Sequence, residues 1–187
     1  MRMAGVNKLL APVDGAPLVT WTVRSVVRSR ARPVIVVVGY ERERLINALA
    51  DQPVDFVDNP DYAAGISSSL RRGVAALPSD IDGVLVCLGD MPHVAVSDID
   101  RLIAAFDPSV GREICVPTFD GQRGNPVLWG KRFIPEIAAL SGDVGARQLF
   151  AQHSDRLYMV EAHDRGVLFD VDTNTELARL NTQSPLP

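Results

Sequence analysis

Residues 84–92 read Val-Leu-Val-Cys-Leu-Gly-Asp-Met-Pro, an apolar run that stops at Gly89 and hands the chain to Asp90, Met91 and a rigid proline. A short, continuously apolar run bounded by turn residues is the pattern of a strand covered on both faces. A carboxylate leaving the C-terminal edge of such a strand sits where open α/β sheets bind their ligands. There it can hold a hard cation such as Mg2+ against phosphate oxygens. The same residues also suit an ordinary Gly-Asp turn, so the reading depends on what surrounds them.

The surroundings alternate. Residues 17–29 carry apolar side chains at helical spacing, with a proline suited to a first turn. Residues 34–38, Val-Ile-Val-Val-Val, are a β-branched run stopped by Gly39. Further helices are expected at 42–49, 67–77, 96–106, 133–140, 144–153 and 175–181. Further strands are expected at 54–57, 83–88, 114–118, 125–129, 157–160 and 167–171. Strands alternating with helices predict an α/β fold, a three-layer α/β/α sandwich on a mainly parallel sheet. Residues 1–182 read as a single domain and 183–187 as a frayed tail.

Composition narrows the function classes. A chain of 187 residues is long enough for one domain with a sizeable core, and 47% hydrophobic with 22% charged residues is ordinary for a globular protein. A net charge of −4 argues against a partner coated in phosphate such as nucleic acid, but a small phosphorylated ligand needs only a few local cations. Cys87 and Cys115 fall inside apolar strand-like runs, as core thiols do. His93 directly follows the Asp90 turn, while His153 and His163 stand apart, so no histidine pair has metal-ligand spacing. No apolar stretch has transmembrane length and the start carries no secretory pattern. The expectation is a cytoplasmic protein with no membrane partner.

Several other stretches could carry chemistry. Arg2 and Lys8 flank Gly5, as cations and a close-approach glycine around a phosphate would, or as a solvated terminus would. Residues 59–70, Asn-Pro-Asp-Tyr-Ala-Ala-Gly-Ile-Ser-Ser-Ser-Leu, run into a helix. Gly65 permits an unusual turn there, and Ser67, Ser68 and Ser69 either offer donors to an anion or simply cap the helix. Arg123-Gly124-Asn125-Pro126-Val127 is a tight polar turn into a strand or an ordinary hairpin. Gly142-Asp143-Val144-Gly145-Ala146 reads as a helix start with a capping Asp. Asp170-Val171-Asp172-Thr173 puts two carboxylates on one face of a strand end, which calls for a cation between them or for full exposure.

In this order, Lys8-Leu9-Leu10, the 59–70 block, Leu88-Gly89-Asp90-Met91-Pro92, Gly124-Asn125-Pro126, the 141–146 block and Asp170-Val171-Asp172-Thr173 closely resemble the molybdenum cofactor cytidylyltransferases. These belong to the wider nucleotidyltransferases with a glycosyltransferase-A-like, Rossmann-like fold of the nucleotide-diphospho-sugar transferase type. The resemblance covers nearly the whole chain and implies Mg2+-dependent transfer of CMP from CTP to the terminal phosphate of a molybdopterin-type acceptor, with pyrophosphate leaving. It implies that Asp90 and Asp172 hold the metal, with Asp170 as substitute. Lys8 and Arg2 would act on the phosphates in catalysis and nucleotide binding. Asn59, Gly65, Ser67, Ser68, Ser69 and Gly89 would complete the nucleotide wall, and Gly124, Asn125 and Pro126 would face the pterin. A recipient molybdoenzyme or its chaperone is a further implied partner.

The related guanylyltransferases, which use GTP, share the phosphate loop and the Gly-Asp block. The serine and Gly-Asn-Pro blocks look more like the cytidylyl branch. A transferase for another phosphorylated acceptor, or a non-catalytic protein that binds the nucleotide or cofactor, are the alternative readings. The family's opening strand and the first half of its glycine-rich loop have no counterpart before Arg2-Met3. Met1 is therefore expected to be internal to a longer polypeptide, and the intact mass of the natively expressed protein tests this.

Overall fold

A computed structural model describes residues 7–180; the expectations for Arg2, Gly5 and the tail lie outside those residues. The chain begins with a 3-10 turn at Lys8–Leu10 and a small antiparallel hairpin, β1 (Pro12–Val13) and β2 (Ala16–Pro17). There follow α1 (Leu18–Arg28), β3 (Ile35–Val38), α2 (Arg42–Ala48), β4 (Asp55–Asp58), α3 (Ile66–Ala75), β5 (Gly83–Val86) and α4 (Val96–Ala105). The second half runs through β6 (Ile114–Phe119), β7 (Gln122–Arg123), β8 (Val127–Gly130), α5 (Ile134–Ala139), β9 (Leu157–Glu161) and α6 (Asn174–Leu180).

The two-residue period of the strands sorts the core into layers. On β6 and β8, Ile114, Val116, Val127 and Trp129 share one cluster with Val74 of α3 and Ile137 of α5. Their alternates Cys115 and Leu128 pack instead with Leu102 of α4. On β5, Val84 and Val86 join the α3–α5 side, while Leu85 joins Val26 of α1 and Ile99 of α4. Helices therefore cover both faces, and the three-layer sandwich expected from the alternation is present.

Strand direction is mixed where a mainly parallel sheet was expected. β3 and β4 are parallel, as are β6 and β9, whereas β8 runs antiparallel to both β5 and β6. The cause is the short link from β6 to β8. It turns at Asp120 and Gly121, both at positive φ, and leaves no length for the helical crossover that a parallel pair needs. Among the described residues β3 and β5 do not pair with each other. They are held side by side by helices: α1 sets Val19 and Val23 on Val38, and Val26 on Leu85. On the other face α3 brings Gly73 against Val37 and Val74 into the cluster of Val84 and Val86.

Two expected elements differ. The 144–153 segment winds as a 3-10 turn at Ala146–Ala151 rather than an α-helix. The apolar 167–171 run makes no strand: Arg165–Leu168 is a 3-10 turn started by Asp164, whose side chain accepts the Gly166 N–H. Burial without a ladder explains the misleading pattern, since Val167 and Val171 are fully buried. Gly166 lies so close to the His93 carbonyl that a Cβ would stand 2.3 Å from it. No helix of the described residues is long and apolar enough to cross a membrane.

Candidate active site

The turn that follows β5 is built around Gly89. A side chain there would meet Leu9 at 3.3 Å and Val19 at 3.5 Å, so the glycine lets the Lys8–Leu10 turn lie against the strand end. Thr22 Oγ1 donates to the Gly89 carbonyl at 3.3 Å, and the Val171 N–H donates to the Asp90 carbonyl at 3.0 Å. Asn7 ties the other side, accepting the Leu9 N–H at 3.2 Å and donating to the Tyr40 carbonyl at 3.3 Å. These contacts bring Lys8, Asp90 and Asp172 together from sequence positions far apart.

Lys8 Nζ lies 2.6 Å from Asp90 Oδ2 and 2.8 Å from Asp172 Oδ1. The Asp90 side chain is only 15% exposed, against 66% for Asp172. Burial alone would lower the Lys8 pKa, but its hydrogen bonds to Asp172 and Asp90, and their charges, outweigh that and raise it. Lys8 is thus a fixed ammonium. Asp170 is pushed up, first by burial and then by the charges of Asp172 and Asp90. The second oxygen of Asp90, Oδ1, is buried with no hydrogen-bond partner. A buried carboxylate oxygen left unpaired is costly and is what a hard cation would satisfy. The oxygen donors of Asp90 and Asp172 therefore fit a divalent metal, although among the described residues no third His, Cys, Asp or Glu completes a cluster with them.

Asp172 is set by a device the reading of the sequence passed over. The Glu176 carboxylate accepts the N–H groups of Asp172 at 2.9 Å and Thr173 at 2.8 Å, while Thr173 Oγ1 accepts the Glu176 N–H at 3.2 Å. This is a reciprocal capping box at the start of α6. Its signal was present as Thr173-Asn174-Thr175-Glu176.

The serine block is tied into the protein, with the Ser67 and Ser68 hydroxyls both donating inward. Asn59 is 1% exposed, and its amide donates to Ser68 Oγ at 2.9 Å and Ser69 Oγ at 3.0 Å. Ser67 Oγ donates to the Gly142 carbonyl at 2.6 Å and Ser68 Oγ to the Gly65 carbonyl at 2.8 Å. The first amides of α3 are taken as well, Ile66 N–H by Asp143 Oδ1 and Ser67 N–H by the Gly142 carbonyl. Asp143, expected to cap the helix that follows it, faces α3 instead. In this structure the block orders a wall, with the Ile66 and Ser67 amides already taken by protein acceptors.

The 124–126 segment lies beside the Asp90 turn. β8 pairs Val127 with Val86, which sets Pro126 next to Cys87, Leu88 and Met91. The Asn125 N–H donates to the Val167 carbonyl at 2.8 Å. A side chain on Gly124 would stand 2.3 Å from that same carbonyl. Arg2 lies outside the described residues. His93 is wall rather than ligand: it meets Phe169 edge-on at 5.1 Å, and burial lowers its pKa against the pull of Asp164. Cys87 and Cys115 are free thiols that burial pushes up to about 12 and about 11, which makes them inert.

The loop that carries Asp172 is anchored to α4 by Asp98, which is 2% exposed and accepts the His163 N–H at 3.2 Å. Burial raises the Asp98 carboxyl above 3.8, more than the His163 bond lowers it. The unfolded chain therefore loses this proton first as pH rises. Stability from this group is full below 3.8 and is lost as pH climbs through the raised folded value. Asp98→Asn is expected to flatten that acidic slope and to melt no lower than the parent near neutral pH. Thermal melts across the acidic range check this, and an unchanged slope would assign it to other groups.

Residues 1–157 match the MobA-like NTP transferase domain. The chain belongs to that family. Relatives of this MobA-like NTP transferase include the purine catabolism protein PucB of Bacillus subtilis, 30% identical over 94% of this chain and 88% of PucB. Nicotine blue oxidoreductase of Paenarthrobacter nicotinovorans is 27% identical over 96% of the chain and 90% of its own length. The molybdenum cofactor cytidylyltransferase of Escherichia coli is 26% identical over 90% of the chain and 84% of its own length. Among solved structures, a nucleotidyl transferase from Methanothermobacter superposes with a TM-score of 0.81 at 24% identity, covering 95% of this chain and 84% of that one. Rv0371c of Mycobacterium tuberculosis, in complex with manganese, superposes with a TM-score of 0.79 at 26% identity, covering 95% and 92%. The MobA-like chain is a nucleotidyltransferase with the nucleotide-diphospho-sugar transferase fold.

Proposed function

We propose that residues 1–182 act as one cytoplasmic domain that moves CMP from CTP to the terminal phosphate of a molybdopterin-type acceptor, with Mg2+. The observation that carries the reading is the Lys8 ammonium held between Asp90 and Asp172 beside the unpaired Asp90 Oδ1. The identity to the Escherichia coli cytidylyltransferase supports the choice of substrates. In the reaction an acceptor phosphate oxygen bonds to the α-phosphorus of CTP, the α–β bridging P–O bond breaks, and pyrophosphate carries away the electron pair. Such a step depends on positioning and on charge stabilisation rather than on covalent help from side chains.

Asp90 and Asp172 would hold the metal, which when bound neutralises charge on the triphosphate. Lys8 supplies a compact cation at the phosphates. In this reading Arg2 binds the departing pyrophosphate, Gly89 lets the chain come close, and the wall ordered by Asn59, Gly65, Ser67, Ser68 and Ser69 faces the nucleotide. The side-chain amide of Asn125, between Gly124 and Pro126, faces the pterin, and a molybdoenzyme or its chaperone receives the product.

Pyrophosphate release with the pterin acceptor, measured with CTP and with GTP, tests the reading. Turnover with CTP is expected, and turnover with GTP alone would move the protein to the guanylyl branch. Lys8→Ala is expected to raise KM for the nucleotide and to lower kcat, each by roughly tenfold, because a charge-assisted contact to phosphate is lost. A variant with both constants unchanged would remove Lys8 from the phosphate site.

A further inference from the structure

Away from the lysine cluster, two arginines converge on one ring without an acidic partner. Arg123 ends β7 and Arg147 stands in the Ala146–Ala151 turn, each with its guanidinium carbon 5.8 Å from the centre of the Phe150 ring. Arg147 Nη2 donates to the Arg123 carbonyl at 2.7 Å, which joins the two segments. Phe150 is buried and stacked on Trp129 with ring centres 5.4 Å apart, so the ring under the guanidinium groups is fixed from below.

Some arginines of this acidic chain find carboxylates, as Arg42 does with Asp58 and Arg72 with Asp61, while others lie singly over a ring, as Arg24 and Arg112 do, or donate to carbonyls, as Arg71 and Arg101 do; Arg123 and Arg147 share one ring. Among the described residues no ion pair reaches Arg123 or Arg147. Burial lowers the Arg147 pKa, and the positive charge of Arg123 lowers it further. Two like charges held together and left uncompensated favour an anion between them. Their place in the chain says which anion. Arg123 leads directly into the 124–126 segment, whose Asn125 is bonded to the same 163–172 stretch that carries Asp172. Arg147 follows the 141–145 loop that closes on the first turn of α3.

We propose that Arg123 and Arg147 form a two-armed clamp for a phosphate group of the acceptor, on the acceptor side of the Lys8–Asp90–Asp172 centre. The clamp rests on the transfer reading above for the identity of its ligand as acceptor. Guanidinium forks bind phosphate through paired N–H···O contacts, and losing one such arm costs about 10-fold to 100-fold in affinity.

The test titrates inorganic phosphate, with acetate as control, into the full chain while following the side-chain Nε signals of the arginines by 15N NMR. Saturable shifts of the Arg123 and Arg147 signals are expected with phosphate and not with acetate. Asp90→Asn, which should abolish transfer, is expected to keep them. In the transfer assay, Arg147→Gln is expected to raise KM for the acceptor by about 10-fold or more with KM for the nucleoside triphosphate unmoved, and Arg147→Lys should recover part of the loss. Absent shifts, equal shifts with acetate, or an unchanged acceptor KM would overturn the clamp. Should neither CTP nor GTP be turned over, the transfer reading falls by itself and the phosphate shifts alone decide whether the clamp stands.

Discussion

Asp90→Asn is expected to cut nucleotidyl transfer by about 100-fold or more while leaving the fold intact, in line with the loss of one preorganised electrostatic contact to a transition state. The side chains are nearly the same shape, so the packing of the β5 turn should survive. What changes is charge. The ion pair to Lys8 at 2.6 Å disappears, and the buried Oδ1 that faces no protein donor loses its anionic character. The Lys8 ammonium keeps Asp172 at 2.8 Å but has only that exposed carboxylate left. Pyrophosphate release at saturating substrates measures the effect, and circular dichroism with a thermal melt confirms folding. Activity close to the parent would show that Asp90 does not hold the metal.

Gly65→Ala is expected to be strongly destabilising, because it combines two costs. Gly65 has φ 102° and ψ 173°, a region essentially closed to residues with a side chain, at a cost of order 1–3 kcal/mol. The new methyl would also stand 2.6 Å from the Gly142 carbonyl oxygen and 2.7 Å from the Asp143 backbone. Backbone cannot step aside as a flexible side chain can, and overpacking of this kind adds about 1–3 kcal/mol. Together these predict a loss of about 2–6 kcal/mol and a fall in Tm of roughly 4–24 °C for a chain of this size. Gly142→Ala is the control: its φ is 77° but nothing lies within 4 Å of the added atom. It should cost only the backbone strain, about 1 kcal/mol. Equal melting of the two variants would dismiss the close approach as the cause.

Much of the architecture was legible because period and punctuation are local properties. The β-branched run ending at Gly39 and the apolar run ending at Gly89 both became strands, the first ending where the chain stops being apolar and the second at Val86, two residues sooner. Strand direction was not legible. Whether β8 pairs antiparallel depends on the length of a connection and on its partner, neither of which an apolar run of a few residues encodes. The 167–171 run failed for a related reason: burial makes a segment apolar whether or not it joins a ladder.

At the site, Lys8, Asp90 and Asp172 were each visible as charged residues beside turns, but only folding shows that they meet. The serines were visible too, yet their hydroxyls point into the protein, a direction that composition does not carry. Arg147 stood in a segment expected to be helical and gave no sign of its partner, because the contact to Arg123 joins residues separated by β8 and α5.

The hydrogen bond from the Val171 N–H to the Asp90 carbonyl joins main chain to main chain. Both of its partners are backbone atoms, and only proline at residue 171 would take away the donor itself. The join between the two acidic segments thus does not depend on the identity of either side chain. In the proposed transferase, side-chain changes in the 59–70 and 124–147 segments would alter substrate contacts without touching this join.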